Sequence, residues 1–427
     1  MTEPRIARPR ISRALDRLRS WLLDLADAFA ATPESRTAAV SQNSVGVGIV
    51  GCGFVADFYA ANFGLHPELR IIGCTDLDAE RAAAFAARNG GKVYPALDEL
   101  LADPSVEIVL NLTNPVSHFA VTKAALGAGK HVYSEKPLAT DIARARELVA
   151  LAASRSLTLA SAPCSVLSES AHALRSAVRR GDIGTVRLAY AELDDGPIHR
   201  MDPDEWTSPA GTPWPWRDEF MVGCTVEHAS YPLTWLVAAF GPVSSVTAFS
   251  TTIVTDKHPD LPGDQCGPDF SVASLRFASG LVARLTCSIV APHDHSLQLI
   301  GDHGVLEVDE CWHFGAPLTV RRFTALGLRA ETYPWVTRHG WARGVFGISS
   351  RTSDLSPRPT WRRRLRRHEM DYALGVTELA ASVREGRPCR LTAELALHVT
   401  EVSRAISDAT EHGCSVAIKS SCSAFAD

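Results

Sequence analysis

The stretch "VGVGIVGCGFVADFYA", Val45–Ala60, constrains this chain more than any other. A continuous apolar run ends in glycine, and a helix-forming run begins at once. Gly51–Ala56 reads G-x-G-x-x-A. Between a strand and a helix that spacing has a physical meaning. Gly51 permits the tight turn, Gly53 lets the backbone approach a pyrophosphate, and the small Ala56 lets helix and strand pack closely. The helix N-terminus, at Phe54 and Val55, favours the anion. Asp76 follows Ala56 by twenty residues and ends the next apolar run, "LRIIGCTD". A carboxylate there can bond the ribose hydroxyls and repels an added phosphate. The spacing favours NAD over NADP, with Asp78 and Arg81 as neighbours that blur the distinction.

Downstream, apolar runs alternate with helical patterns: "AERAAAFAARNG", "VEIVLNLT", "HFAVTKAALGAG", "KHVYSEKP" and "LTLASAP". Strands alternating with helices predict a parallel, doubly wound sheet over residues 45–165. After Ser165 the rhythm changes. "TVRLAYAEL", "VSSVTAFSTTI", "FSVASLRFASGLVARLTCSIV", "HSLQLIGDHGVLEVD" and "LTVRRF" alternate in the manner of strands joined by glycine-bearing hairpins. Residues 166–427 therefore read as a mostly antiparallel open sheet covered by helices, with helical patterns returning in "TELAASVREG" and "AELALHVTEVSRAIS". Residues 1–44 read as an amphipathic helix and a linker, since Ile11, Leu15, Leu18, Trp21, Leu22, Leu25 and Phe29 recur at three and four.

A chain of 427 residues, 46% hydrophobic, has room for both domains. Its net charge of -5 gives no case for nucleic acid or an anionic membrane. No apolar run is long enough to span a bilayer. The ten cysteines form no C-x-x-C pair, which points to a reducing, cytoplasmic setting.

"YSEKPLAT", Tyr133–Thr140, places a lysine before a proline at the end of a strand. Proline holds the preceding residue extended, so Lys136 is aimed rather than free. With "GIVGCGFVADFYA" and "LTNPVSHFAVTKAALGAGKHVYSEKPLAT", the chain resembles the Gfo/Idh/MocA family of oxidoreductases from about Val45 to its end. The resemblance implies a Rossmann-type dinucleotide domain followed by a domain that binds substrate and forms subunit contacts. It implies that Lys136 of the Glu135-Lys136-Pro137 motif reaches the reacting oxygen beside the nicotinamide. It also implies that Glu135, Thr113, Asn114 and His118 lie along the cofactor.

The family carries D-x-x-x-H on a second-domain helix. Counting back from the Gly241-Pro242-Val243 corner of "VGCTVEHASYPLTWLVAAFGPV" puts Glu227 at the aspartate and Tyr231 at the histidine. Spaced by four, they would share one face of a continuous helix. His228 competes with Tyr231 as acid/base. A tyrosine needs help at neutral pH, and the Lys136 ammonium would lower its pKa.

The loop "LDDGPIHRMDPDEWTSPAGTPWPWRDEF" sets tryptophans among Asp194, Asp195, His199 and Arg217, a composition suited to a polyol or sugar. "HDH", His293–His295, with Asp294 between its histidines, starts a strand and reads as a surface or substrate-edge histidine pair, so no metal is expected. "WRRRLRRHEM", Trp361–Met370, reads as a solvated face. Val272, Leu275 and Phe277 read as an apolar sheet face for a homodimer or homotetramer. The expected activity is NAD-dependent hydride transfer to or from a sugar or cyclitol carbon. The alternatives are glycoside cleavage through transient oxidation and elimination, and a dinucleotide-dependent sensor without catalysis.

Overall fold

The computed structural model describes residues 44–348, 350–353, 370–409 and 415–425. The expected N-terminal helix and most of the basic run at 361–370 lie outside them. Six strands form the first sheet: β1 (Val45–Val50), β2 (Leu69–Thr75), β3 (Lys92–Val93), β4 (Ile108–Asn111), β5 (His131–Ser134) and β6 (Leu159–Ser161). Their order is β3-β2-β1-β4-β5-β6, and every pairing is parallel. The connecting helices are α1 (Phe54–Phe63), α2 (Ala79–Asn89), α3 (Leu97–Ala102), α4 (His118–Gly127) and α5 (Ile142–Ser154). They cover both faces, which is why all six residues of β1 are buried. The strand order reverses between β1 and β4. The crevice at the C-terminal ends of those strands is where such sheets bind ligands.

After α6 (Glu169–Arg179) comes β7 (Val186–Asp194), then α7 (Trp216–Val222), α8 (Cys224–His228) and α9 (Ser230–Phe240). The second sheet continues with β8 (Val243–Thr251), β9 (Phe270–Phe277), β10 (Val282–Ser288), β11 (Leu297–Gly301), β12 (Gly304–Val308) and β13 (Leu318–Arg322). Short helices α10 (Ala325–Ala330), α11 (Pro334–Arg338) and α12 (Gly340–Val345) precede β14 (Ser350–Ser353). The chain ends with α13 (Leu374–Glu385), α14 (Ala393–Ser407) and β15 (Ser415–Ala417). The nine strands run β14-β13-β12-β11-β7-β10-β9-β8-β15, antiparallel except for β7 with β10. Helix α14 packs on β8, on α5 and on α8, so it joins the two sheets. No helix among the described residues is long and apolar enough to cross a membrane.

Two expectations need correction here. The run from Cys224 is not one helix: it breaks at Ala229. Pro232 is the cause. It has no N–H for the carbonyl of His228, and its ring crowds that carbonyl. The second concerns the face of β9. Leu275 and Phe277 are buried under the helices at 1% and 2% exposure, and Val272 points the other way. With a side-chain period of two, residues 272 and 275 cannot share a face. The open face instead carries Leu188, Phe249 and Val282 among charged neighbours such as Arg284 and Glu192.

Candidate active site

The glycine loop leaves β1 and enters α1. Gly51 has φ +91°, and a Cβ there would meet the Leu112 carbonyl oxygen at 2.7 Å, so only glycine fits. A Cβ on Gly53 would meet no protein atom within 4 Å, so that side of the loop is open to approach. Helix α1 begins at Phe54 with no side chain capping it. Its first-turn N–H groups therefore suit an anion. Asp76 lies beside the loop. Its carboxylate accepts from Cys52 N at 2.7 Å and from Asp78 N at 2.9 Å. Arg81 reaches Asp76 at 3.6 Å and Asp78 at 3.4 Å. An open glycine turn, an uncapped helix start and an acid at the next strand end fit a dinucleotide.

Thr113 and Asn114 follow β4 on the other side of the crevice. Thr113 donates its hydroxyl to Asn111 Oδ1 at 2.7 Å, while Asn114 is exposed. His118 is 1% exposed, and its two ring nitrogens face backbone carbonyls: Nδ1 to Pro137 O at 2.7 Å and Nε2 to Thr113 O at 2.9 Å. It ties the β4 loop to the Glu-Lys-Pro turn and has no nitrogen left for a cofactor. A cofactor contact through a ring nitrogen would require one of these two bonds to be given up.

The Glu-Lys-Pro motif closes β5. The Lys136–Pro137 bond is cis. Glu135 accepts from the Tyr59 hydroxyl at 2.8 Å and from Lys136 N at 3.0 Å. Lys136 Nζ lies 2.5 Å from Glu227 Oε2, with side-chain exposures of 15% and 3%. Burial opposes the ammonium, but Glu227, Glu219 and Glu135 outweigh it and hold its pKa above that of an ordinary lysine. Glu219, on α7, has its carboxyl pushed well up by burial and by Glu227. The sequence reading did not single it out, because nothing local marks it among the acids of "WRDEF".

Tyr231 and His228 flank Trp312. The Tyr231 ring stacks on the indole at 4.1 Å and 20°, and the His228 ring lies 5.2 Å from it. Burial, then Tyr372, raises the Tyr231 phenol well above its usual value. This corrects the expectation that Lys136 lowers it: the lysine spends its charge on Glu227. Burial also pushes His228 down to about 4, and its buried Nδ1 has no hydrogen-bond partner among the described residues. Its Nε2 stands 4.0 Å from Asp195 Oδ2.

The expected substrate residues separate. Asp195, not Asp194, faces the site. Asp194 ends β7, where burial and Glu192 raise it to about 6. Arg217 donates to the Asp260 carbonyl at 2.7 Å and lies over Trp216. Burial and the neighbouring Arg200 push the His199 imidazole below its usual value. The loop tryptophans pack on one another and on Phe220, with Trp206 and Trp214 5.0 Å apart. Asp57 of α1 accepts from Ser208, from Thr212 at 2.7 Å and from Arg88 at 2.9 Å. Much of that loop is thus a strap fastened to the first domain.

Comparison with known proteins bears on the two domains. A family model described as "Oxidoreductase family, NAD-binding Rossmann fold" matches residues 45–162, and "GFO/IDH/MocA C-terminal domain" matches residues 171–307. The chain belongs to the Gfo/Idh/MocA family. It is an oxidoreductase built on an NAD(P)-binding fold. A trans-1,2-dihydrobenzene-1,2-diol dehydrogenase of Homo sapiens is 36% identical over 270 residues, covering 62% of this chain and 75% of that protein. The D-xylose 1-dehydrogenase (NADP(+)) of Hypocrea jecorina is 29% identical over 209 residues, covering 44% and 51%. The WlbA dehydrogenase of Bordetella pertussis, solved with NADH and UDP-GlcNAcA, has a TM-score of 0.65 at 17% identity, covering 89% and 99%. Members of the family differ in cofactor, so the choice between NAD and NADP rests on this chain's own residues.

Proposed function

We propose that this protein transfers hydride between a nicotinamide dinucleotide and a CH–OH carbon of a sugar, cyclitol or related diol. The observation that carries this reading is the Lys136–Glu227 ion pair. It joins the end of β5 to α8, four residues before Tyr231, at the edge of the crevice beside the glycine loop. A dinucleotide bound there supplies or accepts the hydride. Lys136 holds the reacting oxygen and stabilises its developing negative charge. Tyr231, protonated at neutral pH, donates the proton in reduction; in oxidation its phenolate form receives the proton from the hydroxyl. Glu227 fixes the direction of the ammonium. The dehydrogenases among the relatives, on a diol and on xylose, support the substrate class.

Asp76 is the reason for preferring NAD. With the carboxylate beside the adenosine end of the crevice, a ribose phosphate would meet like charge. Screening sugars, cyclitols and diols with both cofactors is expected to give NADH formation with at least one of them, and weaker activity with NADP. Asp76→Ser is expected to narrow the gap. Tighter binding of NADPH than of NADH by the wild type would overturn the assignment. No reduced cofactor from any substrate of this class would count against the reaction itself.

Two further readings concern assembly and setting. The open sheet face, with Leu188, Phe249 and Val282 exposed, suits a second copy of the chain. Light scattering is expected to show a dimer or tetramer, and Phe249→Glu with Val282→Glu to shift it toward monomer. A wild type that stays monomeric at micromolar concentration contradicts this. The nine described cysteines are all unpaired, which fits a cytoplasmic setting.

A further inference from the structure

Beside the Tyr231 and Lys136 site lies a cluster that hydride transfer does not require. Asp195 follows β7, His293 and His295 precede β11, and Glu310 and His313 follow β12. The sheet gathers them because β7 pairs with β11, and β11 with β12. His295 is 1% exposed. Its Nδ1 lies 3.0 Å from Glu310 Oε1. That oxygen also accepts from Trp312 N at 2.9 Å and His313 N at 3.3 Å, so Glu310 is firmly held. The other nitrogen of His295, Nε2, is buried, has no hydrogen-bond partner among the described residues, and faces Asp195 Oδ1 across 3.4 Å. His293 completes the group: ligand atoms of Asp195, His293 and His295 all lie within 4.8 Å of one another. The rings of His293 and His295 are 4.0 Å apart.

We propose that Asp195, His293 and His295 bind a divalent transition-metal cation of the zinc class. Three features carry it. Two imidazoles and a carboxylate match the nitrogen and oxygen donors such ions take. The 3.4 Å between Asp195 Oδ1 and His295 Nε2 is about the separation of two ligands that share a tetrahedral ion at ~2.0–2.1 Å from each. The Glu310–His295 contact is the carboxylate–histidine arrangement that turns the opposite nitrogen toward a metal. Three protein ligands leave coordination positions for water or a substrate oxygen. Asp195 Oδ2 remains on the His228 side, so the ion would sit next to the substrate crevice.

The test is metal binding by the full-length chain, produced without a histidine tag, stripped with chelator and titrated with Zn²⁺ and Co²⁺. The expected result is one equivalent per chain, with the visible absorption of a four- or five-coordinate Co²⁺ site. Asp195→Asn and His295→Gln are expected to abolish it, and Glu310→Gln to weaken it by about tenfold to a hundredfold. His293 is half exposed, so His293→Ala is expected to fold normally and still lose tight binding. His313→Gln is expected to keep it. No stoichiometric binding by the wild type would overturn the proposal. So would binding that survives His293→Ala and Asp195→Asn. Loss in His313→Gln with retention in Asp195→Asn would also overturn it, because the ion would then lie on Nδ1 of His295. Metal content is read apart from turnover, so this result stands or falls separately from the dehydrogenase assignment.

Discussion

Lys136→Met is expected to leave dinucleotide binding nearly intact and to remove most turnover. Methionine keeps much of the lysine stem but carries no charge, so the reacting oxygen loses the group that holds it. Loss of such a group, or of the acid/base, costs about a hundredfold to ten-thousandfold in rate. The structure adds a control. Glu227 is 3% exposed, and without the ammonium it stands as a buried, unpaired charge. Some loss in the single variant could therefore come from local disruption. The double variant Lys136→Met, Glu227→Gln removes both charges and is expected to regain thermal stability without regaining turnover. Recovery of activity in the double variant would mean that Lys136 serves the fold and not the reaction. Tyr231→Phe is expected to lose turnover similarly while binding cofactor. Should Tyr231→Phe remain fully active while His228→Asn fails, the histidine is the acid/base.

Asp269→Ala is expected to destabilise the protein by about 3–5 kcal/mol, the usual cost of orphaning one partner of a buried ion pair. Lys257 and Asp269 are 1% and 0% exposed, with Nζ 2.9 Å from Oδ2. The carboxylate also accepts from Ile253 N at 2.7 Å and Val254 N at 2.9 Å, and the ammonium donates to Val254 O at 2.8 Å. Together they fasten the segment between β8 and β9. Removing Asp269 leaves the buried ammonium without its counter-charge and two backbone N–H groups without acceptors. Lys257→Met is expected to cost less, because the carboxylate keeps both N–H donors. The two effects are not expected to add, since each variant breaks the same pair. Denaturant titration checks this, and an Asp269→Ala midpoint within error of the wild type would show that the pair contributes nothing net.

What lay open in the sequence was local. The glycine loop, the Asp76 strand end, the Glu-Lys-Pro turn and the parallel-then-antiparallel rhythm all rest on backbone freedom and side-chain period among near neighbours. Even the break at Ala229 is written in Pro232, although the spacing of Glu227 and Tyr231 suggested an unbroken helix. The partners of charged groups were not open in this way. Lys136 meets Glu227 across 91 residues, and that meeting leaves the Tyr231 phenol without a cation to lower it. The fold sets a backbone carbonyl, from Thr113 and from Pro137, against each nitrogen of His118. Val272, Leu275 and Phe277 were assigned to one face, where the strand's period separates them. Asp195 and Glu310 come to His293 and His295 only through strand pairing. Torsional preferences act between adjacent residues, so a chain carries them in its order. Electrostatic pairing and burial act through space, between residues that only the packed tertiary structure makes neighbours.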